Sequence, residues 1–157
     1  MEMITLTING QTVQAPKNAT ILEAARSAGI HIPTLCYHSE LAPERACRLC
    51  VVEATGARTL VASCVYPVAE GMIVKTNTDK VRAARRMVVE LLLANHPKDC
   101  LACQKSGDCE LQNIAADLGL RKIRFEGGAR KAHTIDASNP CLVRDQEKCI
   151  LCGRCIP

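Results

Sequence analysis

The chain has 157 residues, 11 cysteines, a formal net charge of +4 and only three aromatic residues, so the large side chains that usually fill a core are scarce. The odd cysteine count and the absence of a signal-peptide pattern argue against a disulfide framework, and no apolar run is long enough to cross a bilayer. The basic residues are scattered along the chain, which argues against a nucleic-acid-binding face, and we expect a cytoplasmic protein that is stabilised by metal.

The first half of the chain has the pattern of a small α+β unit. Residues 3–16 alternate apolar and polar side chains around Asn9 and Gly10, which predicts a β-hairpin with a type I′ turn. A capping-box pattern at Thr20 and Glu23 starts a helix, which Gly29 ends. The segment RLCVVEATGARTLVASCVYPV predicts a second hairpin, and MIVKTN predicts a last strand. Two strands, a helix and further strands indicate a β-grasp-like fold.

From Asp79 the spacing of apolar residues becomes helical. The period predicts an amphipathic helix from an N-cap at Asp79 to about Asn95, with its apolar face formed by Val81, Ala84, Met87, Val88, Leu91 and Leu92. The segment CELQNIAADLGL predicts a second, shorter helix that ends near Gly119. Residues 121–140 are rich in glycine, basic and polar residues, and we expect a linker with one short strand.

The first group of candidate ligands is spread over a loop, a tight turn and a later strand: Cys36, Cys47, Cys50 and Cys64. A C-x2-C pair with two more distant thiols on a β-grasp unit is typical of a [2Fe–2S] site, although plant-type sites have a shorter first gap. Thiolates bind iron and zinc alike, so a zinc site is the alternative.

The second group lies within NHPKDCLACQKSGDCELQ and consists of His96, Cys100, Cys103 and Cys109. A lone histidine at a helix end is more often a cap that interacts with the helix dipole. Three cysteines follow His96 directly at metal-ligand spacing, and an imidazole would complete a set of four ligands. We therefore predict a metal site with one histidine and three cysteine ligands.

The third group contains a C-x2-C-x2-C run, Cys149, Cys152 and Cys155, which is the start of a bacterial-ferredoxin motif. A four-iron cluster needs a fourth ligand, and the other two groups use seven of the 11 cysteines, so that Cys141 is the thiol that remains. The residues between Cys141 and Cys149 can span roughly 20 Å when extended. We predict that Cys141 completes this cluster. The alternative is that Cys141 is a buried free thiol, and that the cluster is then incomplete or takes its fourth ligand from another chain.

Four segments carry a resemblance to a known family: HIPTLCYH, ACRLCVVEA, HPKDCLACQKSGDCELQ and VRDQEKCILCGRC. In this order they are similar to the N-terminal iron–sulfur segment of the large subunit of respiratory complex I, and of its relatives in NAD-linked [FeFe]-hydrogenases and formate dehydrogenases. The resemblance implies a [2Fe–2S] domain, a [4Fe–4S] site held by His96 and three cysteines, and the start of a ferredoxin-like domain. It also implies electron transfer between a flavin-containing NAD(P)H-oxidising subunit and a downstream redox centre.

Three departures from the family bear on the function. Arg45 replaces a usual glycine, Cys141 replaces a usual apolar aromatic residue, and the sequence ends before a second ferredoxin motif. The gain of a cysteine together with the loss of the downstream motif is what a short, self-contained relay needs. We therefore expect such a relay.

The expected fold class is α+β: a β-grasp [2Fe–2S] ferredoxin-like domain is followed by a small helical [4Fe–4S] domain and a short ferredoxin-like C-terminal cluster segment. The expected domain limits are 1–78, 79–120 and 121–157, the last with a linker at its start. Counting the ligand groups gives one [2Fe–2S] cluster and two [4Fe–4S] clusters.

We expect an electron-transfer subunit without a catalytic site of its own, since the sequence has no recognisable nucleophile motif, P-loop or dinucleotide-binding glycine pattern. Its expected partners are a flavin-containing NAD(P)H dehydrogenase-like subunit and a second redox subunit, in an electron-bifurcating complex of an anaerobe. The alternatives are a zinc-stabilised assembly module and the N-terminal fragment of a larger hydrogenase or formate dehydrogenase subunit.

Overall fold

The computed structural model describes residues 2–128 and 133–156. It divides into two compact units, Met1–Arg85 with Gly153–Pro157, and Arg86–Cys152. Among the described residues, no helix has both the length and the apolar character that a membrane span requires. These two units are defined by contacts between backbone positions. The domain limits expected from the sequence stay a prediction.

The first unit begins with the predicted hairpin. Its turn residues Asn9 and Gly10 have φ angles of 52° and 87°, which confirms the type I′ turn, since that turn needs a positive φ at both central positions. Strands β1 (Met3–Ile8) and β2 (Gln11–Pro16) pair in antiparallel register, with Ile8 opposite Gln11.

The hairpin forms one edge of a five-stranded sheet with the strand order β2-β1-β5-β3-β4. Strand β5 pairs in parallel with β1 and antiparallel with β3, so the two halves of the unit meet at the centre of the sheet. This topology, with a helix between its hairpins, is the expected β-grasp arrangement. The remaining strands are β3 (Val51–Ala54), β4 (Val61–Ala62) and β5 (Ile73–Lys75).

Helix α1 (Ile21–Ser27) packs against the sheet and closes the core. The predicted capping box is present, because Thr20 Oγ1 accepts from the Glu23 amide and the Glu23 carboxylate accepts from the Thr20 amide. Gly29 follows the helix with a φ of 73°, a left-handed conformation typical of helix ends. The core beneath α1 is almost entirely aliphatic, as the low aromatic content predicts.

Helix α2 (Asp79–Ala94) confirms the predicted helical period but differs from the prediction in two details. Its N-cap is Thr78 rather than Asp79, because Thr78 Oγ1 accepts from the Val81 amide at 3.3 Å. Its buried face is also rotated: Arg85 and Glu90 are buried, whereas Met87 and Leu91, predicted to be on the apolar face, are exposed. The two polar side chains can be buried because each has hydrogen-bond partners inside the fold.

The second unit contains α3 (Glu110–Asp117), which ends before Gly119 as predicted. A short hairpin also forms here, and its first strand is the one expected in the linker. Residues 129–132, which the linker includes, lie outside the described part of the chain. The remaining elements are two 3-10 helices (Cys100–Ala102 and Gln146–Lys148) and the strands β6 (Asp136–Asn139) and β7 (Leu142–Arg144).

A buried carboxylate fixes the irregular segment that follows α3. The Glu90 side chain is 2% exposed, and both of its oxygens accept from the Arg124 guanidinium, at 2.8 to 3.0 Å. The Arg124 backbone amide also donates to Glu90, and Arg86 donates to the Leu118 carbonyl at the end of α3. These bonds hold residues 118–124 against α2.

We predict that Glu90→Gln and Arg124→Gln each lower the unfolding temperature of the iron-loaded protein at pH 7, and that the double variant is no less stable than the worse single variant. The hydrogen bonds from Arg124 hold the pKa of the Glu90 carboxyl below its ordinary value. The ion pair therefore contributes fully above the unfolded pKa, about 4.3, and its contribution is lost as the pH falls through the lowered folded value. Glu126→Gln, at an exposed position in the same segment, is the control, and additive losses in the double variant would contradict the coupling.

Candidate metal centres

The four thiols of the first group are all buried in the first unit: Cys36, Cys47, Cys50 and Cys64. The Sγ atoms of Cys36 and Cys47 are 3.3 Å apart, and the Leu35 amide donates to the Cys47 sulfur at 3.4 Å. The thiols of Cys36, Cys47 and Cys50 all act electrostatically on Cys64. The fold thus brings together four cysteines from three separate segments.

Helix α1 holds the segment that carries Cys64. The first amides of a helix have no partner inside the helix and need one elsewhere. Here the Ile21 amide donates to the Tyr66 carbonyl and the Leu22 amide to the Ser63 carbonyl, both at 3.0 Å. Cys64 therefore lies in a turn that α1 fixes on both of its sides.

Burial strengthens the affinity of two of these thiols for their protons. It raises the pKa of Cys64 to about 12, with the neighbouring Cys50 as the next cause, and it also raises the pKa of Cys36. A thiolate at such a site needs a cation beside it. A metal that displaces the protons supplies this charge, so the group has the chemistry of a metal site.

The loop around Cys47 has a tight backbone path. Arg45 and Arg48 have φ angles of 58° and 55°, in the left-handed region that glycine adopts most easily. Arg45 is the position at which the family usually has glycine. Arg45 adopts this left-handed conformation with its side chain exposed.

Sequence reasoning missed one residue of this site, Arg85. Its Nε donates to the Leu49 carbonyl at 2.9 Å and its Nη2 to the Val51 carbonyl at 2.8 Å. Burial lowers the pKa of Arg85 to about 10, and the Cys50 thiol acts in the opposite direction. The one signal in the sequence is its position, four residues after Val81 and four before Val89, which places Arg85 on the same side of the helix as two apolar residues that the structure shows to be fully buried.

The four residues of the second group line one small cavity of about 30 Å³: His96, Cys100, Cys103 and Cys109. Cys100 begins a 3-10 helix and Cys103 follows that helix. Cys109 is the N-cap of α3, where the partial positive charge of the helix end favours an anionic ligand. Three local elements of the second unit thus direct the group to one place.

The His96 side chain is arranged as a nitrogen ligand would be. Its Nδ1 lies 3.0 Å from the Pro97 carbonyl oxygen, and because a carbonyl can only accept, Nδ1 carries the proton. The lone pair of the neutral ring is then on Nε2, which is free to bind a metal. This hydrogen bond goes to Pro97 rather than to a carbonyl of the last turn of α2, which argues against the helix-cap interpretation.

The third group occupies the hairpin and the C-terminal run. Cys141 is exposed in the turn between β6 and β7, where its amide donates to Asn139 Oδ1 at 2.8 Å, so it is not the buried thiol of the alternative interpretation. Cys149 follows a 3-10 helix, and its sulfur accepts from the Leu151 amide at 3.4 Å. Leu151 itself has a φ of 54°, which turns the backbone within the run.

The donor chemistry of all three groups fits iron–sulfur clusters, which are held by cysteine thiolates and in some sites by histidine. In residues 2–128 and 133–156, no three His, Cys, Asp or Glu side chains converge on a single ion. A cluster divides its ligands among several irons and does not require such convergence. The assignment of individual ligands stays a prediction.

Comparison with known proteins identifies the first half of the chain. Residues 1–79 match the family described as the 2Fe–2S iron–sulfur cluster binding domain. The chain belongs to this family. Residues 85–124 match the family described as the NADH-ubiquinone oxidoreductase-G iron–sulfur binding region. Both matches confirm the resemblance seen in the motifs.

Two curated relatives cover nearly the whole chain. The NADP-reducing hydrogenase subunit HndD of Solidesulfovibrio fructosivorans is 48% identical over 99% of this chain and 27% of its own length. The mitochondrial NADH-ubiquinone oxidoreductase 78 kDa subunit of Neurospora crassa is 39% identical over 98% of this chain and 21% of its own length. The chain thus spans about a quarter of the length of these relatives.

A solved structure supports the fold. The crystal structure of an NAD+-reducing [NiFe]-hydrogenase in the H2-reduced state matches with a TM-score of 0.90 and 39% identity, over 98% of this chain and 64% of that one. The α+β fold class is therefore confirmed, with a domain for a [2Fe–2S] cluster followed by a region of the [4Fe–4S]-binding type.

We predict that His96→Cys retains a four-iron cluster at the second group but lowers its reduction potential, because a thiolate adds a negative charge that a neutral imidazole does not carry. His96→Ala should leave a labile site that loses iron. The measurement is an EPR-monitored redox titration, with His31→Ala as the control at an exposed histidine outside the three groups. Unchanged EPR signals in both His96 variants would show that His96 is not a ligand.

Proposed function

We propose that this chain is an iron–sulfur electron-transfer subunit, which connects a flavin-containing NAD(P)H-oxidising subunit to a second redox module. The observation that carries the proposal is the succession of two ligand groups of different composition, four buried thiols and then a histidine with three cysteines around one cavity. When bound, such clusters accept and release single electrons. The names of the relatives, which are subunits of a hydrogenase and of an NADH oxidoreductase, support the same role.

The protein's own residues prepare the sites for this role in different ways. The four thiols of the first group are buried in an aliphatic core, which limits their contact with water. In the second group, His96 supplies a neutral donor whose orientation is set by Pro97. We propose one [2Fe–2S] cluster in the first group and one [4Fe–4S] cluster in each of the others, with Cys141 as a ligand of the last.

The setting that we propose is an electron-bifurcating complex in the cytoplasm of an anaerobe. A relative with 48% identity is named an NADP-reducing hydrogenase subunit, which supports an NAD(P)-linked hydrogenase system. The relatives are several times longer than this chain. The relay role is the same whether the chain acts as a short subunit or as a segment of a larger one.

The test is the metal content of the complex, purified without oxygen through a tag on this chain. We predict about ten irons per chain, two in the first group and four in each of the others, with matching sulfide. Reduction by NAD(P)H should produce the EPR signals of these clusters only when the flavin-containing subunit is present. Stoichiometric zinc with little iron would instead support the zinc-stabilised assembly module and would refute the electron-transfer proposal.

A further prediction concerns Cys141. If it is the fourth ligand of the third group, Cys141→Ala should reduce the iron content from about ten to about six, or to about nine if a three-iron form remains, and leave the other two signals intact. Asn139→Ala is the matched control, because it removes the hydrogen bond to the Cys141 amide but keeps the thiol. Ten irons in Cys141→Ala would show that this thiol is not a ligand.

A further inference from the structure

A buried arginine binds the backbone on both sides of one predicted cluster ligand. Arg85 is 5% exposed, and its guanidinium donates to the carbonyls of Leu49 and Val51, the residues immediately before and after Cys50. A guanidinium offers several N–H donors in one rigid plane, which allows a single side chain to bind both carbonyls. The loop that presents Cys47 and Cys50 is thereby tied to α2.

The charge of Arg85 has no carboxylate partner in the described part of the chain. Its two hydrogen-bond acceptors are neutral carbonyls, and a guanidinium stays protonated in proteins. The charged groups that act on it are Cys50 and the like-charged Arg82. Buried charges are normally paired, because an unpaired charge in an apolar core is destabilising. The negative charge that can compensate Arg85 is that of a thiolate at Cys50, the residue between its two hydrogen-bond acceptors.

We infer that Arg85 is a positioning and charge-compensating residue of the first cysteine group, which holds the Cys47–Cys50 loop and stabilises the reduced form of the cluster. The inference rests on the proposed function, since it assumes a [2Fe–2S] cluster on these thiols. Reduction adds one electron, and therefore one negative charge, to a group that is already anionic. A fixed cation in a low-dielectric surrounding favours the more negative form and raises the reduction potential.

The structural and the electrostatic roles of Arg85 can be separated by three substitutions. Arg85→Lys keeps the positive charge but loses the planar set of N–H donors. Arg85→Gln keeps an N–H donor but loses the charge. Arg85→Met loses the charge and all of the donors. A residue that only ties α2 to the loop would lower stability in all three variants and leave the potential unchanged. A charge-compensating residue would shift the potential in the two neutral variants alone.

The experiment is an EPR-monitored redox titration of the [2Fe–2S] signal in the intact, iron-loaded protein. We expect Arg85→Gln and Arg85→Met to shift the oxidised-to-reduced ratio about tenfold towards the oxidised form. For a one-electron couple this corresponds to a reduction potential that is about 59 mV more negative. Arg85→Lys should keep a potential close to that of the wild type. Arg82→Gln is the matched control, because it removes the same charge one turn earlier at an exposed position.

Each outcome decides the question. Neutral variants that keep the wild-type potential would overturn the inference, even where Arg85→Lys loses the cluster, because the planar guanidinium would then position the loop without any effect of its charge on the potential. If the neutral variants lose the cluster and Arg85→Lys retains it, the charge is required and the inference stands. A wild-type protein without a [2Fe–2S] signal would refute the proposed function itself, which is a different result from an unchanged potential.

Discussion

Four thiols buried in a small aliphatic core impose the electrostatic condition on which the first unit depends. Burial raises the pKa of Cys36 and of Cys64, and a thiolate there is stable only with a cation beside it. A metal centre meets this condition and adds its binding free energy to the free energy of folding. This addition matters in a chain with three aromatic residues, because few large side chains are available to stabilise the core by burial.

Much of the fold could be predicted because local backbone rules decide it. Asn9 and Gly10 specify a type I′ turn by their tolerance of positive φ, and Thr20 and Glu23 specify a helix start by reciprocal hydrogen bonds. The cysteine spacings were also informative, because each group contains a C-x2-C pair and the remaining ligands of the group follow or precede that pair in the chain. In the structure the members of each of the first two groups lie near one another, and their role as ligands stays a prediction.

The sequence was least informative where partners are distant. The buried face of α2 contains Arg85 and Glu90, and a hydrophobic period assigns such residues to solvent. Their partners lie 34 to 36 residues away in the chain, so no window of the sequence contains both ends of the interaction. Cys141 was assigned by counting the cysteines that the other two groups leave over. Such a count gives no information on where the thiol lies in the folded chain.

The three ligand groups differ in how their negative charge is compensated. In the first group a buried guanidinium binds the carbonyls on either side of Cys50, and in the second group we predict that the neutral imidazole of His96 takes the place of one thiolate. Both arrangements make the surroundings of the cluster less negative and so favour reduction. The guanidinium does so as a neighbouring cation, and the imidazole does so as a neutral ligand. The thiols of Cys141, Cys149 and Cys155 are exposed, so there water can screen the charge. A relay needs sites that accept an electron and also release it. With the proposed clusters bound, these different surroundings would give each site its own reduction potential.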